Sequence, residues 1–173
     1  RGRGPFSMAY TVNAGSLPAD HWLNDPKRGG GRLVGEGCHF VDLLRFIADA
    51  PLVNATIAQV GDGGTRTLSF GDGSIGTVHY FTSGHSSVPK ERLEVFGGGR
   101  VWQLDNFRTL RVSGAGFDPV KKLKRFGRVP TQDKGHHAAV AAFIDAARAG
   151  EPAPIPFAES VEVTRAIFDA LAT

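Results

Sequence analysis

Glu36, His39 and Asp42 fall inside the stretch GGGRLVGEGCHFVDLLRFI, residues 29–47, where two carboxylates flank an imidazole at three-residue spacing. Histidine has an ordinary pKa of about 6.5 and exchanges protons near neutral pH, so this set is a candidate for general acid–base chemistry. Residues three or four apart on a helix are neighbours, which puts Glu36, His39 and Leu43 on one side, with Gly35 and Asp42 close to it. Asp42 is spaced to orient the imidazole or to accept a hydrogen bond from it. A histidine on a largely apolar helix also serves as a hydrogen-bonded core residue, and the sequence alone leaves both readings of His39 open. Interior glycines cost a helix about 1 kcal/mol each relative to alanine. Gly35 and Gly37 therefore mark either tight packing against a sheet or a ligand lying across the turn that carries His39.

These residues need a frame. Leu33, Phe40, Val41, Leu44 and Ile47 have the spacing of one buried helical face, and Ala48-Asp49-Ala50-Pro51 stops the helix. Before it, Phe6 to Ala14 alternates apolar and polar residues as a strand with one buried face does. The loop from Ser16 to Arg28 brings His21 and Trp22 side by side, either as a binding wall or as a plug (Trp22) beside a solvated imidazole. After the helix come six strand patterns: Leu52 to Val60, Thr65 to Phe70, Ser74 to Thr82, Glu91 to Phe96, Arg100 to Asp105 and Arg108 to Val112. Asp62-Gly63-Gly64, Gly71-Asp72-Gly73 and Gly97-Gly98-Gly99 supply hairpin turns. A basic loop, Val120 to Gln132, leads to a helix over Lys134 to Ala149 capped by Asp133, with Val140, Phe143, Ile144 and Ala147 expected in the core. A proline-rich connector, 151–156, precedes a last helix over Glu159 to Leu171, with Val161, Val163, Ile167, Phe168 and Leu171 available to the core. Strand, helix, six strands and two helices predict an α+β fold: an open, mainly antiparallel sheet with helices on one face. The other face of such a sheet is left to a second subunit, so a homodimer or tetramer is expected.

Composition narrows the function. With 173 residues, 41% apolar and 21% charged, the chain reads as one globular domain, residues 1–5 being the remnant of a linker. It does not open like a signal peptide and holds no apolar run of membrane-spanning length. A single cysteine, Cys38, excludes an internal disulfide and fits a reducing, cytoplasmic compartment. A net charge of +3 and a basic cluster of Lys121, Lys122, Lys124, Arg125 and Arg128 with a single nearby aromatic do not make a nucleic-acid surface. Glu36 and Cys38 share no helical face, so no metal site is expected from Glu36, Cys38 and His39, and Cys38 beside His39 points the wrong way for a nucleophile pair. Gly71-Asp72-Gly73-Ser74-Ile75-Gly76 matches the dinucleotide fingerprint G-x-G-x-x-G, but a strand pattern follows where a helix is required, so a hairpin is expected. Gly29-Gly30-Gly31 lacks the lysine and hydroxyl residue of a phosphate-binding loop.

YTVNAG at residues 10–15, Asp20-His21-Trp22 and the 29–46 stretch together resemble the C-terminal domain of the glucose–fructose oxidoreductase / inositol dehydrogenase / rhizopine-catabolism (Gfo/Idh/MocA) family, most of all members fused behind a zinc-alcohol-dehydrogenase-like region. The resemblance implies a substrate domain of an NAD(P)-dependent oxidoreductase acting on a sugar, sugar nucleotide or cyclitol by hydride transfer. It implies His39 as the acid/base residue, Asn13 as a substrate contact and Asp42 as an orienting or structural group. His21, Trp22 and Glu36 are further substrate-side candidates. The pattern departs at Gly35, where many members carry an aspartate, with Glu36 beside it. The cofactor, NAD or NADP, would be bound mainly by an N-terminal Rossmann domain that these residues do not contain, so the chain alone is expected to be inactive. The alternative is a non-catalytic module that uses the same sheet to bind a carbohydrate or a protein.

Overall fold

Polar–apolar alternation becomes a seven-stranded sheet in the order β2-β3-β4-β1-β5-β6-β7. The computed structural model describes residues 4–25, 27–28, 30–114 and 132–172. Its strands are β1 (Ser7–Asn13), β2 (Leu52–Val60), β3 (Gly63–Phe70), β4 (Ile75–Phe81), β5 (Glu91–Gly97), β6 (Arg100–Asp105) and β7 (Thr109–Gly114). Its helices are α1 (Arg32–Gly35), α2 (Gly37–Ala48), α3 (His136–Ala149) and α4 (Phe157–Ala172), with a short 3-10 turn at Trp22–Asn24. The α+β class and the open sheet are as the sequence predicts.

The core lies between one sheet face and the helices. Met8, Tyr10 and Val12 of β1, Leu68 and Phe70 of β3, and Val78 and Tyr80 of β4 meet Phe40, Val41 and Leu44 of α2 and Val163 and Ile167 of α4. Each such apolar side chain contributes roughly 1.5–3 kcal/mol by leaving water. The opposite face carries the alternate residues, among them Thr65, Thr67, Thr77 and His79, with Thr65 Oγ1 and His79 Nδ1 3.0 Å apart.

Four expectations need correction. The strands do not pair in simple chain order through hairpin turns: β1 lies between β4, to which it runs parallel (Tyr10 opposite Val78), and β5, to which it runs antiparallel. The predicted single helix over the 29–47 stretch is two, because Glu36 (φ −111°, ψ −22°) closes α1 and opens α2. The first hairpin turns one step early, with Gly63 and Gly64 already paired in β3, where a Cβ would press against Tyr80 and Ala58 carbonyls. And α3 holds no buried residue: Val140, Phe143 and Ile144 are 60%, 61% and 41% exposed. Helices α1, α2 and α4 already cover the β1–β4 half of the sheet, and α3 is anchored at its entry, where Lys134 pairs with Glu91 and lies over the Phe107 ring. The β5–β7 half is left with an apolar groove of about 390 Å³ between Leu43 and Ile47 of α2 and Leu93, Trp102 and Leu104 of the strands. In α4, Phe168 is likewise exposed, while Val163, Ile167 and Ala170 supply the buried stripe. The basic segment 120–131, and the side chain of Leu171, lie outside the described residues.

Candidate functional site

Parallel pairing of β1 and β4 makes both strands end on the same sheet edge, where β5 begins. Asn13 closes β1 there. Its Nδ2 donates to the carbonyls of His85 (2.8 Å) and Val88 (3.0 Å), pinning the β4–β5 connection, while its backbone N–H reaches Lys90 O at 2.7 Å. The Oδ1 atom is buried without a hydrogen-bond partner among the described residues. A Cβ at Gly84 would fall 1.8 Å from that oxygen, so only glycine fits there. Around these residues lies a cleft of about 550 Å³ whose wall includes Asn13, Ser16, His85, Ser86, Lys90 and Asn106.

Glu36 reaches this edge because the helix breaks at it. Its Oε2 accepts from Tyr80 Oη at 2.9 Å and pairs with Lys90 Nζ at 3.5 Å. Tyr80 is buried, and burial together with the Glu36 carboxylate pushes its phenol up to about 12, so the hydroxyl stays a donor. Arg32, also buried, lies 5.5 Å over the Tyr80 ring and donates to Gly15 O (2.6 Å) and Ala14 O (3.4 Å), fixing α1 to the chain that leaves β1. A second set of the same design stands one strand away. Tyr10 Oη donates to buried Glu91 at 2.5 Å, and Lys134 pairs with that carboxylate; burial, then Glu91, raises the Tyr10 phenol beyond its ordinary range.

His39 and Asp42 face elsewhere. With Cys38 they line a cleft of about 230 Å³ against Ile155, Ser160, Val163 and Thr164, beside the start of α4. His39 is exposed, its backbone N–H donates to Glu36 O at 3.2 Å and its imidazole has no hydrogen bond among the described residues, so it is not the satisfied core histidine that the sequence left open. Burial and then the nearby Glu159 raise the Asp42 carboxyl above its ordinary value, while His39 and Arg45 pull it down. Arg45 spans the joint to α4, at 3.1 Å from Glu162 and 3.5 Å from Glu159. The trio read from the 29–47 stretch is thus divided: Glu36 points to the strand ends, His39 and Asp42 to α4. Gly37 is buried, and a Cβ there would meet Ile167 Cδ1 at ordinary contact distance (3.4 Å), whereas Gly35 is exposed. His21 caps the 3-10 turn, its Nδ1 accepting from Leu23 N at 3.3 Å, and stacks on Trp22, which is half exposed.

Sequence reasoning missed Lys90, Tyr80 and Arg32. Arg32 left a trace, a cation among buried apolar positions; Tyr80 sits on the buried phase of its strand; Lys90 left none, since its partner Glu36 is 54 residues away. Among the described residues no group of three or more histidine, cysteine or acidic side chains is arranged to hold a metal, and no helix is long and apolar enough to cross a membrane. Nor does either glycine motif, among the described residues, have the strand–loop–helix form of a dinucleotide site. Gly71–Gly76 is the turn between β3 and the start of β4, not the approach to a helix, and the glycines before α1 open a helix of only four residues.

No known family profile matches the chain, and no curated protein matches it in sequence. Solved structures do match. WlbA dehydrogenase from Bordetella pertussis, solved with NADH and UDP-GlcNAcA, superposes with a TM-score of 0.73 at 16% identity, over 96% of this chain and 54% of that one. The fold is shared with dehydrogenases. Levoglucosan dehydrogenase, solved with NADH, gives 0.71 at 18% identity over 96% and 56%. UDP-N-acetylglucosamine 3-dehydrogenase GnnA from Acidithiobacillus ferrooxidans gives 0.67 at 17% over 96% and 51%. The chain spans about half the length of these structures. At such identities the likeness speaks for the fold.

Proposed function

We propose that these 173 residues act as the substrate-side domain of an NAD(P)-dependent oxidoreductase of the Gfo/Idh/MocA type, working on a sugar, sugar nucleotide or cyclitol. The observation that carries the reading is the match of nearly the whole chain to part of the WlbA and levoglucosan dehydrogenase structures. The fusion behind a zinc-alcohol-dehydrogenase-like region and a cytoplasmic setting belong to the same reading. In it the cofactor is held outside these residues, and the open apolar groove beside α2, with the exposed stripe of α3, is surface that a covering unit would bury. This chain's own contribution is to bind and orient. Asn13, Lys90 and Glu36 line or border the strand-end cleft, and His21 and Trp22 stand on the loop leading to α1. His39, with Asp42 one turn on, is carried as the group that takes or gives the substrate's hydroxyl proton by the family resemblance alone, since it lines the cleft against α4 and not the strand-end cleft. A second copy is proposed to cover the threonine-rich open face; sedimentation that finds a monomer at high concentration refutes that part.

Calorimetry on the isolated chain tests the division of labour. A sugar nucleotide such as UDP-N-acetylglucosamine is expected to bind and NAD(H) is not; micromolar NADH binding overturns the reading. One observation favours the alternative of a non-catalytic carbohydrate- or protein-binding module: Glu36 turns to Tyr80 and Lys90, away from His39, and Gly35 offers His39 no carboxylate. Unchanged turnover of a His39→Ala variant of a longer, active protein would remove His39 from catalysis.

A further inference from the structure

Glu36 meets two donors on one oxygen and none on the other. Oε2 is shared by Tyr80 and Lys90, while among the described residues Oε1 receives no hydrogen bond. The carboxylate is accessible, at 21% side-chain exposure, and Lys90 more so at 45%. At 3.5 Å the Lys90 contact is longer than the roughly 2.7–2.9 Å of a fully formed charge-assisted bond, so the ammonium keeps donors to give away. Tyr80 cannot turn aside, being packed between Phe40 and Arg32, and so it fixes the carboxylate in place. The pair sums to zero charge. An anion placed on it would meet Glu36, a cation would meet Lys90, and a neutral ligand with adjacent hydroxyls would satisfy both. One hydroxyl donates to the free carboxylate oxygen; its neighbour accepts from the ammonium. The cleft that Lys90 borders continues the same chemistry with uncharged hydrogen-bonding groups: Ser16, Ser86 and Asn106.

We propose that the Glu36–Lys90 pair, braced by Tyr80, is a clamp for a vicinal diol at the strand-end cleft. The clamp deepens the substrate-domain reading and rests on it. Lys90 becomes a specificity-determining residue that the sequence did not single out.

Backbone amide shifts of the full 173-residue chain test it, with myo-inositol and UDP-N-acetylglucosamine as probes. Both are expected to move the amides around Asn13, Glu36, Ser86 and Lys90. Lys90→Met, a change at a half-exposed side chain that leaves the fold intact, is expected to weaken binding about tenfold or more, as loss of a hydrogen bond to a charged group does. Glu36→Gln, which keeps the shape and an acceptor for Tyr80 but cancels the charge, is expected to weaken it as well. Binding at another place, such as the cleft around His39, or binding that both variants retain, overturns the clamp while leaving a substrate domain. No binding of either probe anywhere overturns both.

Discussion

Arg66 is a buried cation without an anion, and replacing it with methionine should make the protein more stable. It is 2% exposed on β3, beneath α1 and α4. Its Nη1 donates to Ile167 O at 3.2 Å and its Nη2 to Leu33 O at 3.5 Å; its Nε is buried with no partner, and among the described residues no carboxylate pairs with it. Burial pulls its pKa below the ordinary arginine value. A base whose folded pKa is lowered disfavours folding wherever it is charged, which covers the whole neutral range. Removing a charge from water costs several kcal/mol, and the two carbonyl bonds that offset this lie at or beyond the long end of the usual 2.7–3.2 Å range. Methionine keeps an unbranched apolar stem of similar reach. The balance predicts a gain of roughly 1–3 kcal/mol for Arg66→Met. At about 2–4 °C per kcal/mol for a chain of this size, Tm rises by roughly 2–12 °C. Urea denaturation with an unchanged slope, alongside calorimetry, measures it. A loss of more than about 1 kcal/mol refutes the reasoning, because it would mean the two bonds hold the α1–α4 joint more strongly than desolvation opposes it.

The Asp42 carboxyl is raised in the fold, so the native state holds its proton more tightly than the unfolded chain; its stabilising share is full at acid pH and is lost as pH climbs from the ordinary value of 3.8 through the raised one. The advantage of Asp42→Asn over the parent should therefore grow with pH above about 4 and level off, and an Asp42→Asn protein less stable at pH 7 refutes this. Gly84→Ala should cost roughly 2–4 kcal/mol by driving Asn13 off its two carbonyls, with faster amide exchange across residues 84–90; wild-type stability would show that the Asn13 clasp is slack. Val140→Ser with Phe143→Ser should leave stability within about 0.5 kcal/mol while reducing hydrophobic-dye binding and self-association; a large loss would mean that the α3 stripe is packed in solution.

The strands were legible because alternation is local: Met8, Tyr10, Val12 and Val78, Tyr80 announce their buried phase whatever they pair with. The pairing itself was not legible. Nothing in residues 7–13 says that their neighbours are β4 and β5, some 70 to 90 residues on, rather than the next strand. The helix break at Glu36 was hidden for a related reason. The 29–47 pattern is periodic enough for one helix, and the turn follows from tertiary demands, Tyr80 and Lys90 drawing Glu36 one way while α4 packs on Gly37. In α3 the amphipathic stripe was read correctly as apolar, but periodicity records that a face is to be covered, not by what. His39 was found by residue type and by resemblance; its exposure, and its separation from Glu36, were visible only in three dimensions.

The place of β1 reaches past the static structure. On one side of it stand β2, β3 and β4, on the other β5, β6 and β7, each a set of hairpin-linked neighbours with local contacts. The first strand to be made is therefore the last to find both its partners: it must wait for β4 and then β5 to emerge, and each pairing closes a loop of some 70 to 90 residues. Until then its unpaired edge and its apolar phase, Met8, Tyr10 and Val12, stand open to another chain. Two preformed three-stranded halves joined late by a borrowed strand make a slow step, and one that a strand from a neighbouring molecule can take over.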